Sequence, residues 1–174
     1  MPAYLVKPEV LYLLDREKTP TFRLIMDLMW STGARISEVL GLKPESFRDG
    51  GYDYGVILST LKQRPGRPTK RALARSPKRY IALGKFRQSD RLFPMTRQTV
   101  NRHIKALTAK AGGAPFNISA HTFRHSFAIH LMLHGRPLKY ISKLLGHKSI
   151  DSTEIYTNIL TVDGEHFMRG VDFH

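Results

Sequence analysis

Apolar residues recur at three- and four-residue intervals along much of this chain, and proline or glycine closes each run, which divides the chain into short amphipathic helices. Thr19-Pro20 opens one such helix as N-cap and first-turn proline. Its buried stripe is Phe22, Ile25, Met26 and Met29, with Trp30 as packing. A turn at Ser31-Thr32-Gly33 leads into a second helix, whose inner face is Ile36, Val39 and Leu40; Arg35 sits at its opening turn and Lys43-Pro44 ends it. Between residues 50 and 83 the pattern changes, and Val56-Ile57-Leu58 and Tyr80-Ile81-Ala82-Leu83 read as short strands. Residues 59–79 hold three prolines, one glycine and eight Lys or Arg, the composition of a basic hairpin or loop. Thr96 then caps a helix with Val100, Ile104 and Leu107 inward and Arg97, Arg102, Lys105 and Lys110 on its surface; Ala111-Gly112-Gly113 stops it. Further helices are expected over 121–134, ending at Gly135-Arg136-Pro137, and over the segment that ends at Gly146. A last short helix starts at Asp151, with Glu154 as its capping-box partner, and carries Tyr156.

The chain has 174 residues, 41% of them apolar, enough for one globular unit without disulfides. It has no cysteine, which excludes disulfides, thiolate catalysis and Cys-ligated zinc. Lys7, Asp15, Arg16 and Glu17 lie close to the only apolar run of the N-terminal segment and spoil a signal peptide, so a cytoplasmic location is expected. With 28 Lys+Arg against 14 Asp+Glu, the formal charge of +14 favours a polyanionic partner, nucleic acid first. A membrane surface would need a basic amphipathic segment or an anchor, and the apolar stretches are short and interrupted. His121 and His125 stand four apart, as do His130 and His134, but the glutamate of an HExxH site and a third ligand are missing, so no metal is expected.

Four motifs follow one another in a telling order. GARISEVLGL contains Arg35, STLK contains Lys62, HTFRHSFA contains His121 and Arg124, and LLGHKSIDSTEIY contains His147 and Tyr156 nine residues later. One HxxRH alone is short and degenerate. In this order and spacing, the set resembles the tyrosine recombinases, the phage integrase family, over about residues 6–167. The resemblance implies an α+β fold, mostly α-helical, with a small antiparallel β-sheet. It makes residues 1–174 a catalytic domain without the N-terminal core-binding domain, either an excised catalytic fragment or a short single-domain member such as the fimbrial DNA invertases.

It also implies a chemistry that suits these residue types. Arg35 and Arg124 would present planar guanidinium forks to the scissile phosphate and stabilise charge in the transition state. Tyr156 would attack phosphorus to form a 3′-phosphotyrosyl bond, with His121 assisting proton transfer. Lys62 would protonate the leaving 5′ oxygen, with Lys70 of the same basic segment as the alternative, and His147 would hydrogen-bond the phosphate. Glu38, one turn beyond Arg35, is placed to orient its guanidinium. The covalent bond conserves the phosphodiester energy, so religation needs no cofactor.

The partner so implied is double-stranded DNA. Arg64, Arg67, Lys70 and Arg71 are expected to hold its backbone, with Thr96, Arg97 and Arg102 on the following helix. Recombination by this route implies a homotetramer on DNA and room for an accessory DNA-binding protein. Two other classes share part of this reading: a type IB topoisomerase-like enzyme, which relaxes DNA with similar residues, and a DNA-binding protein without catalysis. HTFRHSFA and LLGH favour the recombinase.

Overall fold

The computed structural model describes residues 3–49, 54–58, 69–73 and 77–146. Among the described residues there are seven α-helices and a small sheet: α1 (Lys7–Arg16), α2 (Pro20–Thr32), α3 (Ile36–Leu40), a 3₁₀ turn (Pro44–Ser46), β1 (Phe47–Asp49), β2 (Tyr54–Leu58), β3 (Thr69–Leu73), α4 (Lys78–Gly84), α5 (Arg97–Lys110), α6 (Ala120–Leu133) and α7 (Leu138–Leu145). The strands form one antiparallel sheet in the order β1-β2-β3, with Phe47 opposite Val56 and Val56 opposite Arg71. This is the mostly helical α+β architecture expected, with its small sheet lying against α2.

The amphipathic stripes become one large core. Ile25, Met26 and Met29 of α2 meet Val39 of α3, Val100 and Ile104 of α5, and Phe123 of α6. Trp30 packs on this cluster and lies against His130. The rear of α6 (Phe127, Ala128, Ile129 and Met132) forms a second, smaller cluster with Ile141 and Leu145 of α7. Helix α6 spans both clusters.

Three local features depart from the sequence reading. Residues 7–16 form α1, which no motif announced; Val10, Leu13 and Leu14 are its buried face, and the Glu9 carboxylate accepts the Val6 N–H at 2.8 Å. Thr19 does hold the N-cap position of α2 before Pro20, but its side chain makes no capping bond, and its own N–H donates to Glu17 Oε1 at 2.7 Å. Residues 80–83, expected as a strand, lie in α4. Pro77 starts that helix and its carbonyl accepts the Ile81 N–H at 3.0 Å. Tyr80 and Ile81 pack on the core, while Leu83 is 73% exposed, the one-sided burial of a helix turn. An apolar run of four residues is too short for its period to decide between the two.

Gly33 ends α2 in the left-handed conformation, φ 62°, and a Cβ there would collide with the Phe127 ring and lie 3.0 Å from Leu145 Cδ2. Backbone strain and overpacking act together at this position. Gly33→Ala is therefore expected to lower stability by on the order of 3 kcal/mol. Thermal melting should show a drop of roughly 10 °C for a chain of this size.

Among the described residues, no helix is long and apolar enough to cross a membrane.

Candidate active site

Arg35 is the N-cap residue of α3, two positions beyond the Gly33 turn. Both carboxylate oxygens of Glu38 serve it: Oε2 accepts the Arg35 backbone N–H at 2.8 Å and Oε1 accepts from Nη1 at 3.1 Å. The Glu38 side chain is 1% exposed and that of Arg35 25%, so a nearly dry carboxylate holds a guanidinium that still reaches solvent. Charge-assisted bonds of this kind fix orientation as well as adding energy.

Arg124 lies in the middle of α6 and is 5% exposed. Its Nη1 donates to the Gly33 carbonyl at 2.6 Å and its Nη2 to the Leu145 carbonyl at 2.8 Å. Gly33 is the C-cap of α2 and Leu145 the last residue of α7, so both acceptors are C-terminal helix carbonyls without a partner in their own helix. Two helix C-termini thus direct their partial negative charge at one buried cation, which offsets the cost of removing it from water. The same guanidinium ties together the turn leading to Arg35, the helix bearing His121, and the end of α7, two residues before His147.

His121 stands one turn before Arg124 and is exposed; its ring centroid is 6.2 Å from that of His125. Burial first, then the charges of His121 and Arg124, push the His125 imidazole below its ordinary range. His130 is lowered in the same way by burial, His134 and Lys7. Both imidazoles bind a proton less readily in the folded chain than in the unfolded one. Their contribution to stability is therefore complete above the ordinary imidazole pKa, about 6.5, and declines as pH falls below it toward the lowered folded values. Thermal melting is expected to show a lower Tm at pH 5.5 than at 7.5, with a smaller difference in His125→Gln.

Helix α5 is held from beneath. Its His103 Nε2 bonds Glu17 Oε2, and the ring stacks on Phe22 with centroids 3.6 Å apart. Burial pulls the Glu17 carboxyl upward, but bonds from the Thr19 N–H and from His103 outweigh it and leave the group below its usual range. Thr96 caps α5, its Oγ1 accepting the Thr99 N–H at 3.2 Å. Arg97 and Arg102 are exposed, and neither has a carboxylate partner among the described residues. A cleft of about 430 Å³ between α3 and the start of α5 is lined by Ser37, Glu38, Ser46, Arg91, Thr96 and Arg97, which places the support of Arg35 beside the basic start of α5. Arg91 was not anticipated: a lone exposed arginine has no sequence signature. Nor was the part played by Gly33, whose Ser-Thr-Gly context marked only a turn.

Lys62, Arg64, Arg67, His147 and Tyr156 lie outside the described residues. Lys70 and Arg71 fall on β3, opposite Ile57 and Val56. Among the described residues, no group of three or more His, Asp or Glu is placed to hold a metal ion.

The sequence model of the phage integrase family matches residues 5–161. A probable site-specific recombinase in the afa region of Escherichia coli is 33% identical over 178 residues, covering 93% of this chain and 72% of the relative. The tyrosine recombinase XerD of Shewanella oneidensis is 35% identical over 150 residues, 79% of this chain and 49% of XerD, so the chain spans about half the length of that relative. In three dimensions, the Tn1549 transposon integrase in complex with transposon right end DNA superposes with a TM-score of 0.75 at 18% identity, covering 98% of this chain and 67% of that one, a likeness of fold. The chain belongs to the phage integrase family, the tyrosine recombinases, and has the fold of their catalytic domain.

Proposed function

We propose that this chain cuts and rejoins double-stranded DNA at specific sites through a covalent bond between Tyr156 and the 3′ phosphate. Family membership and the tyrosine in LLGHKSIDSTEIY support the reaction type. The observation that carries the assignment of the phosphate site is the Arg124 bridge. A buried guanidinium between the Arg35 turn and the end of α7 gathers into one place three of the four motifs that were scattered along the chain. Arg35 and Arg124 stabilise charge on the non-bridging oxygens, with Glu38 orienting the first; preorganised donors of this kind act with no reorganisation as the reaction proceeds. Tyr156 is the nucleophile, His121 assists its proton transfer, and His147 hydrogen-bonds the phosphate. Lys62, or Lys70 on β3, protonates the leaving 5′ oxygen. A hydroxyl from another strand then reverses the attack.

DNA lies along the cleft beside α3 and the start of α5, held by Thr96, Arg97 and Arg102, with Arg64, Arg67, Lys70 and Arg71 on its backbone. The chain acts as the catalytic domain, as a homotetramer on two sites, in the cytoplasm, with an accessory DNA-binding protein supplementing its grip. The formal charge of +14 supports a polyanionic partner and a steep dependence of affinity on salt. The test is to trap the protein on randomised suicide substrates, sequence the attached DNA and map the modified residue. A defined sequence joined to Tyr156 is the expected result; attachment elsewhere on the chain, or none, contradicts the proposal. Relaxation of a supercoiled plasmid that lacks the recovered site would point to a topoisomerase instead.

A further inference from the structure

We infer that Asn101 is a positioning residue that couples the seating of α5 on DNA to the placement of His121. The inference rests on the reading of α5 as DNA-facing and of His121 and Arg124 as groups at the phosphate.

The opening turn of α6 leaves backbone N–H groups with no partner within the helix. One is met locally, the Thr122 N–H donating to the Ser119 carbonyl at 3.0 Å, while Thr122 Oγ1 accepts the Ser119 N–H at 3.0 Å. The Ala120 N–H is met from another helix: Asn101 Oδ1, on α5, accepts it at 3.0 Å. Ala120 is 4% exposed and its bond to the half-buried Asn101 is partly shielded, so water replaces that acceptor poorly. An amide left without its partner there carries an unmet desolvation cost, which favours a shift of the turn toward another acceptor. The next residue along is His121, and Arg124 follows one turn later, so any shift in the first turn of α6 is passed straight to the exposed imidazole.

Asn101 is also well placed to report on DNA. It is followed at once by the exposed Arg102, and Arg97 lies one turn before it. Below it, α5 is fastened to the body of the protein by His103 to Glu17 and Phe22, and by the Tyr12 hydroxyl donating to the Ala111 carbonyl at 3.1 Å. With the helix so held, the Asn101 carboxamide sets the distance between the phosphate-gripping arginines and the first turn of α6. A cap that only stabilised α6 would change melting and nothing else; a positioning residue changes the chemical step at saturating protein.

The experiment compares wild type with Asn101→Ala, which removes the acceptor, and Asn101→Asp, which keeps one. Single-turnover cleavage of a suicide DNA substrate is measured at saturating protein, well below each variant's Tm, alongside the DNA Kd. Misplacement of a catalytic group by about an ångström typically slows reaction by up to ~100-fold. The expected result for Asn101→Ala is a cleavage rate reduced by about 10- to 100-fold with Kd little changed. Asn101→Asp should recover the rate while the added negative charge weakens Kd. By NMR, Asn101→Ala should speed exchange of the Ala120 amide and shift the His121 ring signals, and Asn101→Asp should keep the Ala120 amide exchange slow. Unaltered Ala120 and His121 signals in Asn101→Ala, or a cleavage rate equal to wild type, overturn the inference. If wild type itself traps no DNA, the recombinase reading is what fails, and the NMR comparison still decides the role of Asn101.

Discussion

Replacing Arg124 by lysine is expected to slow covalent cleavage of DNA by about 10²- to 10³-fold, the loss typical when one preorganised donor to a developing anion is removed. The guanidinium lies between the Gly33 and Leu145 carbonyls with one terminal nitrogen on each. Its plane is thereby fixed before DNA arrives. A lysine ammonium is a single point on a flexible stem and cannot bond both carbonyls in that fixed plane. One helix end then keeps a buried carbonyl without a donor, at about 1–3 kcal/mol. Melting should fall by a few degrees, and the reduction in cleavage should persist at temperatures where the variant is fully folded. Cleavage at the wild-type rate by a folded Arg124→Lys protein would remove this residue from the phosphate site.

The second large effect is expected from Tyr156→Phe. A phenyl ring retains the packing of tyrosine but has no oxygen to attack phosphorus, so covalently trapped DNA should fall by on the order of 10⁴-fold or more, as for other lost nucleophiles. DNA affinity should change by less than about fivefold, since a single hydroxyl contributes roughly 1 kcal/mol at most contacts. Gel separation of the covalent adduct and a binding isotherm on the same substrate give the two numbers. Adduct formed at the wild-type level by Tyr156→Phe means that another side chain carries the reaction.

Sequence patterning revealed α2 and α5 because each has a regular inner stripe, and α6 through its stop at Gly135-Arg136-Pro137, since that helix is buried on most of its faces and shows no single stripe. It also revealed the Arg35–Glu38 contact, which is local and obeys helix spacing. Helix α1 stayed hidden because Val6, Leu11 and Tyr12 are apolar yet exposed, which blurs the stripe made by Val10, Leu13 and Leu14. Helix α4 was misread because Tyr80-Ile81-Ala82-Leu83 is too short to show a period. The arrangement around Arg124 was out of reach for a different reason. Its acceptors are backbone carbonyls far away in the chain, and every residue type has a carbonyl, so no residue identity marks the partner. The bond between Glu17 and His103 is equally distant and equally silent. What motif order supplied was the list of residues; the packing of helix ends supplied the contacts of Arg124 with the turn before Arg35 and with the end of α7.

The division of the interior into two clusters has an energetic consequence. Helix α7 adds only Ile141 and Leu145 to the fully buried apolar set, whereas α2 alone adds four residues to the larger one. Detaching α7 exposes far less apolar surface than unfolding the whole chain, so its local opening free energy is a fraction of the global value. The Arg124 bond to the Leu145 carbonyl is the polar latch on that low-energy door. Loss of that bond would leave the Leu145 carbonyl without its donor and ease the opening of α7, so the stability of this end of the described structure depends on a side chain from α6.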